Sequence, residues 1–527
     1  MAACAWIDWI TLTISHRRTL NRELEERAQL HPVKPFLIFQ PVDDAPLTFS
    51  YADFAAQVNR TANALLSLDV RPTDKLLLVL ANCPEFLLLW FAAARIGAVI
   101  VPVNPLSSDA ELQYLASHSE AMLVVVHAAD LARGERLGLR HVVVCGKAVG
   151  QARSLSDLVM EASAQAPPVA SAGSEDEVAI LYTSGTTSRP KGCLITHANY
   201  IHAGEAVAQH AGVGPEDRNL VVLPYFHGNA QYYSTMSALV VGASLVVTDR
   251  FSASRFWDIA ARHQATIASL FAAPMRMLLA QPEAPLPEHR PRLAFFAQSI
   301  TRAQLEEWQH RFGVPLLQIY GMTEQLGWPM ANPLHGLRDN MSIGRPTLPF
   351  RCRVVDEHGL EVAPGNPGQL LVHGVPGVSL MRGYFKNPEA TTDAIRDGWL
   401  WTGDNVRERE DGLFEFVDRA KDMIKRAGEN VAASEVEAVL KDHPAVFDAA
   451  VIGVPDPMRD EAIKAYIVVR EGRQVTAEEL IAWCASRLAK FRVPELVEFR
   501  PELPRTSVGK IQKHLLRAEH QQSVLSA

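Results

Sequence analysis

Apolar residues fall along this chain in short unbroken runs separated by stretches of helical spacing. Runs of strand length occur at 75–80, 121–126, 141–144, 219–223, 244–247, 266–270 and 293–296. A continuous apolar run of this length is what a strand buried on both faces requires. Its repeated alternation with helices predicts parallel sheets covered on both sides. The segment 85–96 carries apolar residues too densely for a surface helix and is expected to pack between sheets. Beyond Pro346 the rhythm changes. Strand-like segments at 351–355 and 369–372 lie among Gly and Pro turns, which predicts a small β-rich subdomain. Past Asp418 the pattern becomes compact α+β, with a helix opened by a capping box at Ser434-Glu435-Val436-Glu437 and strands near 449–452 and 465–469.

With 527 residues the chain exceeds one ordinary core, so at least two domains are expected. Hydrophobic residues make up 48% and charged ones 21%, a globular balance that argues against disorder. Net charge is −8, from 51 Lys+Arg against 59 Asp+Glu, which leaves no basic footprint for nucleic acid and no polybasic membrane patch. Six cysteines stand singly, with no Cys-x-x-Cys, so neither a disulfide framework nor a thiolate metal site is predicted. Free thiols fit a reducing, cytoplasmic setting. The start, Ala5-Trp6-Ile7-Asp8-Trp9-Ile10, is broken by Asp8 and lacks a basic lead, so residues 1–17 read as a disordered leader and not a signal peptide. No apolar run reaches the length of a membrane span, so integral membrane association is not expected.

The chemistry concentrates after the apolar run 178–181. There the chain reads Tyr182-Thr183-Ser184-Gly185-Thr186-Thr187-Ser188-Arg189-Pro190-Lys191-Gly192. Small hydroxyl residues, glycines that leave backbone N–H groups uncovered and a lysine together suit a polyphosphate. The spacing is not the Walker pattern, because Lys191 precedes its glycine. Further motifs follow in order: Tyr320-Gly321-Met322-Thr323-Glu324, Trp401-Thr402-Gly403-Asp404, Asp418-Arg419-Ala420-Lys421-Asp422, and Pro504-Arg505-Thr506-Ser507-Val508-Gly509-Lys510-Ile511.

These five ordered motifs resemble the adenylate-forming superfamily of acyl-CoA synthetases, peptide-synthetase adenylation domains and luciferases, across nearly the whole chain. Within it, Asn82-Cys83-Pro84-Glu85-Phe86, the segment 251–257 and Arg459-Asp460-Glu461-Ala462-Ile463-Lys464-Ala465 are similar to the crotonobetaine/carnitine-CoA ligase group. The resemblance implies an α/β fold. A large N-terminal AMP-binding domain of stacked, parallel-rich sheets with helices plus a small β subdomain (18–418) would precede a small, mobile α+β cap (419–527). It implies an acid–thiol ligase using ATP, Mg²⁺ and coenzyme A, with the acid first joined to AMP.

Residue roles carry over motif by motif. Thr183, Ser184, Gly185, Thr186, Thr187 and Lys191 would hold phosphates. Glu324 offers Mg²⁺ a hard oxygen, and Thr323 would donate to the α-phosphate. Tyr320 and Gly321 would line the adenine, although a core tyrosine at a strand end is the other reading of Tyr320. Asp404 would take both ribose hydroxyls, helped by Arg419. Lys510 would reach from the cap to the α-phosphate and carboxylate, Lys421 would be the hinge, and Gly428 would flank the pantetheine channel.

The segment 223–229 resembles the family's gate, which makes His227 and Asn229 acyl-pocket residues, with a structural histidine as the alternative for His227. Gln298 departs from the family's glycine/alanine-rich strand end and points away from long-chain acids. Trp328, with Tyr232 and Tyr233, offers an aromatic wall suited to a quaternary ammonium. The expected substrate is therefore a short, medium or functionalised acid, carnitine-like ones included. Three rivals remain: an adenylation enzyme loading a separate carrier protein, a luciferase-like oxidative enzyme, and a non-catalytic nucleotide-binding regulator. The sequence leaves the oligomeric state open, a homodimer included.

Overall fold

The apolar runs form two large sheets that share one core. The computed structural model describes residues 18–526 apart from 148–149, 151, 169–171, 184–189, 298–299, 420–421, 427–428, 457–459 and 506–510. In the nine-stranded sheet the strands Leu316–Tyr320, Leu293–Ala297, Ile267–Phe271, Arg218–Val221, Ser244–Val247 and Pro35–Phe39 lie side by side, all parallel. The eight-stranded sheet has a parallel centre of Glu177–Thr183, Val99–Pro102, Lys75–Val79, Ala121–His127 and His141–Cys145. Strand positions expected from the apolar runs are all occupied by strands.

Between the sheets sit three helices, Tyr51–Ser67, Pro84–Arg95 and His197–Ala211, whose side chains join Leu78, Val125, Leu245 and Phe295 in the largest core cluster. Ten of the twelve residues of Pro84–Arg95 are buried, as its dense apolar pattern predicts. Proline opens that helix, where its missing N–H costs nothing. Separate clusters cover the outer face of each sheet, so both have two apolar faces.

The β subdomain is antiparallel: Arg351–Val355, Pro367–His373 and Trp399–Glu408 pair in order, with Phe414–Arg419 beside the last. The smaller C-terminal domain packs the hairpin Val446–Asp456 and Asp460–Val469 against Ala433–Lys441, Ala477–Ala485 and Lys513–Ser526. Among the described residues no helix is long and apolar enough to cross a membrane.

One local expectation fails. Ser434 does not cap its helix, which runs Ala433–Lys441 with Ala432 at the cap position and no side-chain cap bond. The Ser434 hydroxyl instead donates to the Val417 carbonyl, and the Ser434 N–H donates to Asp418 Oδ2 at 3.1 Å. Acceptors from the β-subdomain strand Phe414–Arg419 have replaced the local one, because the helix starts where the C-terminal domain meets the β subdomain.

Candidate active site

The phosphate-type segment lies in sequence between two paired strands. Glu177–Thr183 pairs antiparallel with Lys191–Thr196, Thr183 opposite Lys191 and Tyr182 opposite Gly192. Ser184, Gly185, Thr186 and Thr187 lie outside the described residues. Both ends of the loop are anchored: Thr183 Oγ1 donates to the Lys191 carbonyl at 3.4 Å, and Tyr114 Oη to the Pro190 carbonyl at 3.2 Å. Gly192 is dictated by packing, since an added Cβ would lie 2.5 Å from Ile180 Cγ2.

Lys191 Nζ stands 4.3 Å from the Tyr384 ring centroid, and Tyr384 Oη donates to Glu324 Oε1 at 2.9 Å. Tyr384 belongs to the short strand Gly383–Tyr384 that pairs with Lys191–Thr196, so the hairpin and the Glu324 turn are tied together. Burial, reinforced by the Glu324 carboxylate, pushes the Tyr384 hydroxyl well above its ordinary range and keeps it a donor. Glu324 is a buried carboxylate within the short helical turn Thr323–Gln325, and a hard oxygen there fits Mg²⁺. No group of three or more His, Cys, Asp or Glu among the described residues could hold a metal alone.

The turn after Glu324 is strained. Leu326 has φ 63 and ψ −57, and Gly327 N–H donates to the Gln325 carbonyl at 2.7 Å, a γ-turn of the uncommon hand. It sets the direction in which Trp328 leaves the turn. Gly321 is needed on the other side, because a Cβ would meet Tyr233 Oη at 2.4 Å and the Gly327 carbonyl at 2.8 Å.

Asp404 is held from two sides. Tyr320 Oη donates to Asp404 Oδ2 at 2.7 Å, and Arg419 Nε lies 3.3 Å from Oδ1. Arg419 is opposite Asp404 in the pairing of Trp399–Glu408 with Phe414–Arg419. Just before it, Gly403 adopts φ +72 with nothing within 4 Å of where a Cβ would stand, so the backbone kinks beside open space. Tyr320 ends its strand and packs in the cluster of Phe350, Leu370 and Phe414, so it is a core tyrosine as well as a member of this site.

The gate segment is strapped from below. Asn82 Nδ2 donates to the Leu223 and Thr248 carbonyls at 3.0 and 3.1 Å, and Asn82 Oδ1 accepts from Tyr225 N–H at 2.9 Å. After His227, which lies 4.6 Å from the Phe226 ring, the chain enters a π-helix, Asn229–Met236. A π-helix at a functional site is a familiar placement.

A family model of AMP-binding enzymes matches residues 24–385, and one of the AMP-binding enzyme C-terminal domain matches 435–510. The chain belongs to the AMP-binding enzyme family. It is 35% identical over 511 residues to a crotonobetaine/carnitine-CoA ligase of Salmonella agona (strain SL483), covering 95% of this chain and 99% of that protein. Its fold matches ATP-bound MatB from Rhodopseudomonas palustris with a TM-score of 0.84 and 28% identity, over 94% of this chain and 99% of that one. O-succinylbenzoate coenzyme A synthetase (MenE) from Bacillus subtilis, in complex with AMP, matches with a TM-score of 0.82 and 27% identity, over 94% and 98%.

Within this family member, the structure brings Lys191, Glu324, Tyr320, Gly321, Asp404 and Arg419 to the meeting of the large sheets and the β subdomain. Asn229 and Trp328 reach one interlayer. Asn229 Oδ1 accepts from Ser269 Oγ at 2.7 Å, the register partner of Ser269 is Phe295, and the Phe295 ring lies 4.8 Å from Trp328. The three expected aromatic rings adjoin, Trp328 lying 5.5 Å from Tyr233 and Tyr233 6.3 Å from Tyr232; Phe295 and His210 add edge-to-face contacts on Trp328, and Tyr232 packs on Gly228. Gln298, Lys421, Gly428 and Lys510 lie outside the described residues. Sequence reasoning gave no role to Tyr384, Asn82 and Asp418, whose contacts depend on partners elsewhere in the chain; Asn82 and Asp418 stood in segments already noted, and Tyr384 did not.

Proposed function

We propose that this chain is an AMP-forming acid–thiol ligase for a short, medium or functionalised carboxylic acid, carnitine and crotonobetaine among the candidates. A carboxylate oxygen of the acid attacks the α-phosphorus of ATP, the bond to the β-phosphate bridge breaks, and pyrophosphate leaves. The thiol sulfur of coenzyme A then attacks the acyl carbon, the carbon–oxygen bond to AMP breaks, and the thiol proton is lost. The observation that carries the reading is Asp404, a buried carboxylate fixed by Tyr320 and Arg419 beside the open backbone at Gly403. Two acceptor oxygens so placed suit the two ribose hydroxyls.

Thr183 and Lys191, with Ser184, Gly185, Thr186 and Thr187, would cradle the phosphates. Glu324 would hold Mg²⁺, which neutralises phosphate charge when bound, while Tyr384 orients that carboxylate. Thr323 and Lys510 would face the α-phosphate. Lys421 would be the hinge for the cap, counted from residue 419, and Gly428 would border the coenzyme A channel. His227, Asn229, Gln298 and Trp328 would line the acyl pocket. The near-complete coverage of a crotonobetaine/carnitine-CoA ligase supports the substrate class. The free cysteines suit a reducing cytoplasm.

Release of AMP from ATP, assayed across a panel of acids with coenzyme A or a phosphopantetheinylated carrier protein, tests the proposal. Coenzyme A-dependent AMP formation with a short or functionalised acid is expected. Clear preference for palmitate, or turnover with the carrier alone, would overturn it.

A further inference from the structure

On and around the acyl-pocket residues Asn229 and Trp328 are polar groups that no partner among the described residues satisfies. Asn229 Nδ2, Tyr232 Oη, Trp328 Nε1 and both polar atoms of Gln325 are buried without a hydrogen-bond partner. Each of these residues is at most 7% exposed. Buried polar groups are ordinarily paired, so the unpaired atoms of Asn229 and Trp328, which share one interlayer, mark where a ligand or an ordered water would supply partners.

Two of these groups have fixed chemistry. An indole N–H only donates. The Asn229 amide is pinned by Ser269 Oγ, which donates to its oxygen at 2.7 Å and leaves the NH₂ as the free end. Asn229 and Trp328 stand on the same interlayer, bridged by Phe295 and by Tyr233, which sits four residues after Asn229 in the π-helix and 5.5 Å from Trp328. The wall thus presents two donors within an otherwise aromatic lining.

Resting on the ligase reading, we infer that Asn229 and Trp328 are specificity residues that read a hydrogen-bond acceptor on the body of the acid, so that the preferred substrate carries a hydroxyl or carbonyl oxygen. A quaternary ammonium has no lone pair to offer either donor. The aromatic rings pack on one another and do not open as a cage. A betaine is favoured here only if it also bears an oxygen, as carnitine does and its 3-deoxy counterpart does not.

The test is a matched panel: butyrate against 2-, 3- and 4-hydroxybutyrate and acetoacetate, and carnitine against γ-butyrobetaine, each scored as kcat/KM for coenzyme A-dependent AMP formation. A site built to bond a substrate oxygen rejects the analogue lacking it far more strongly than an apolar pocket can, so at least one oxygenated acid should lead its partner by on the order of 10²-fold or more. Trp328→Phe keeps a flat ring without the N–H, and Asn229→Ala removes the amide. Each should shrink that ratio by about tenfold or more, through loss on the oxygenated acid. A wild-type ratio near one, or variants that depress both acids equally, would overturn the inference while leaving the ligase reading intact. Absence of AMP formation with every acid would instead overturn that reading and this one with it.

Discussion

Asp404 shows how single contacts set chemistry in this chain. Its two oxygens are each engaged from a different strand, so the carboxylate cannot turn away from the space beside Gly403. Asp404→Ala is expected to raise the ATP KM and lower kcat/KM by roughly 10–10²-fold, the loss of about 1.5–3 kcal/mol that charged hydrogen bonds carry. Unchanged ATP kinetics with a large drop in melting temperature would make Asp404 purely structural. Two histidines on the helix His197–Ala211 behave differently. Burial lowers the pKa of both His197 and His202 to about 4. The unfolded chain protonates them below about 6.5 while the folded chain keeps them neutral, so the unfolded state binds more protons between about pH 4 and 6.5. Stability is fully present above that window and falls as pH drops through it, by up to about 3 kcal/mol per residue. Urea unfolding at pH 7 and pH 5 should show this loss, and His202→Gln should make it smaller; an unaltered pH slope in the variant would refute the assignment.

At the scale of elements, one side chain fastens the segment 223–229, which would serve as the gate. Asn82 satisfies two carbonyls and one N–H across Leu223, Tyr225 and Thr248, and all three groups are buried with it. Asn82→Ala strands these groups, at about 1–3 kcal/mol for each left unpaired. Melting temperature should fall, and the KM for the acid should rise more than that for ATP, because the freed segment carries His227 and Asn229. Equal change in both constants would mean that Asn82 supports only the core. Similar logic explains the failed capping box. Ser434 has the residue type of a cap and a glutamate three residues on, yet Asp418 supplies the acceptor from the strand Phe414–Arg419. Propensity ranks local partners, and a nearer tertiary partner displaced them here.

For the whole molecule, the question is how one site serves two reactions. Lys510 lies in the C-terminal domain and Asp404 in the β subdomain, with Lys421 between them in sequence. If the cap turns about Lys421, Lys510 can face the α-phosphate in only one pose. Lys510→Ala should then slow acyl-AMP formation by about 10²–10³, a magnitude usual for a removed electrostatic contact. It should leave thioester formation from supplied acyl-AMP close to normal. Lys421→Pro should do the reverse, because proline restricts the backbone torsion a hinge must change. Single-turnover rates of each step decide the matter, and equal impairment of both steps by Lys510→Ala would defeat the two-pose account.

Every apolar run read from the sequence became a strand, since a strand covered on both faces must be apolar throughout, although Pro35–Phe39, Val99–Pro102 and Leu316–Tyr320 joined the same parallel sheets without being among those runs. The dense helix Pro84–Arg95 was equally legible, because burial on all sides leaves no polar stripe. Residue types and order also fixed the family, as the matched spans confirm. Only the tertiary structure decided who partners whom. Tyr384 reaches Glu324 across sixty residues, through a two-residue strand that no periodicity announces. Asn82 holds a loop more than 140 residues away, and Asp418 caps a helix it does not precede directly. The unpaired donors of Asn229 and Trp328 belong to the same class. A hydrogen bond depends on which atoms the packed chain brings within 3 Å or so of each other, and one-dimensional pattern records burial and propensity but not that proximity.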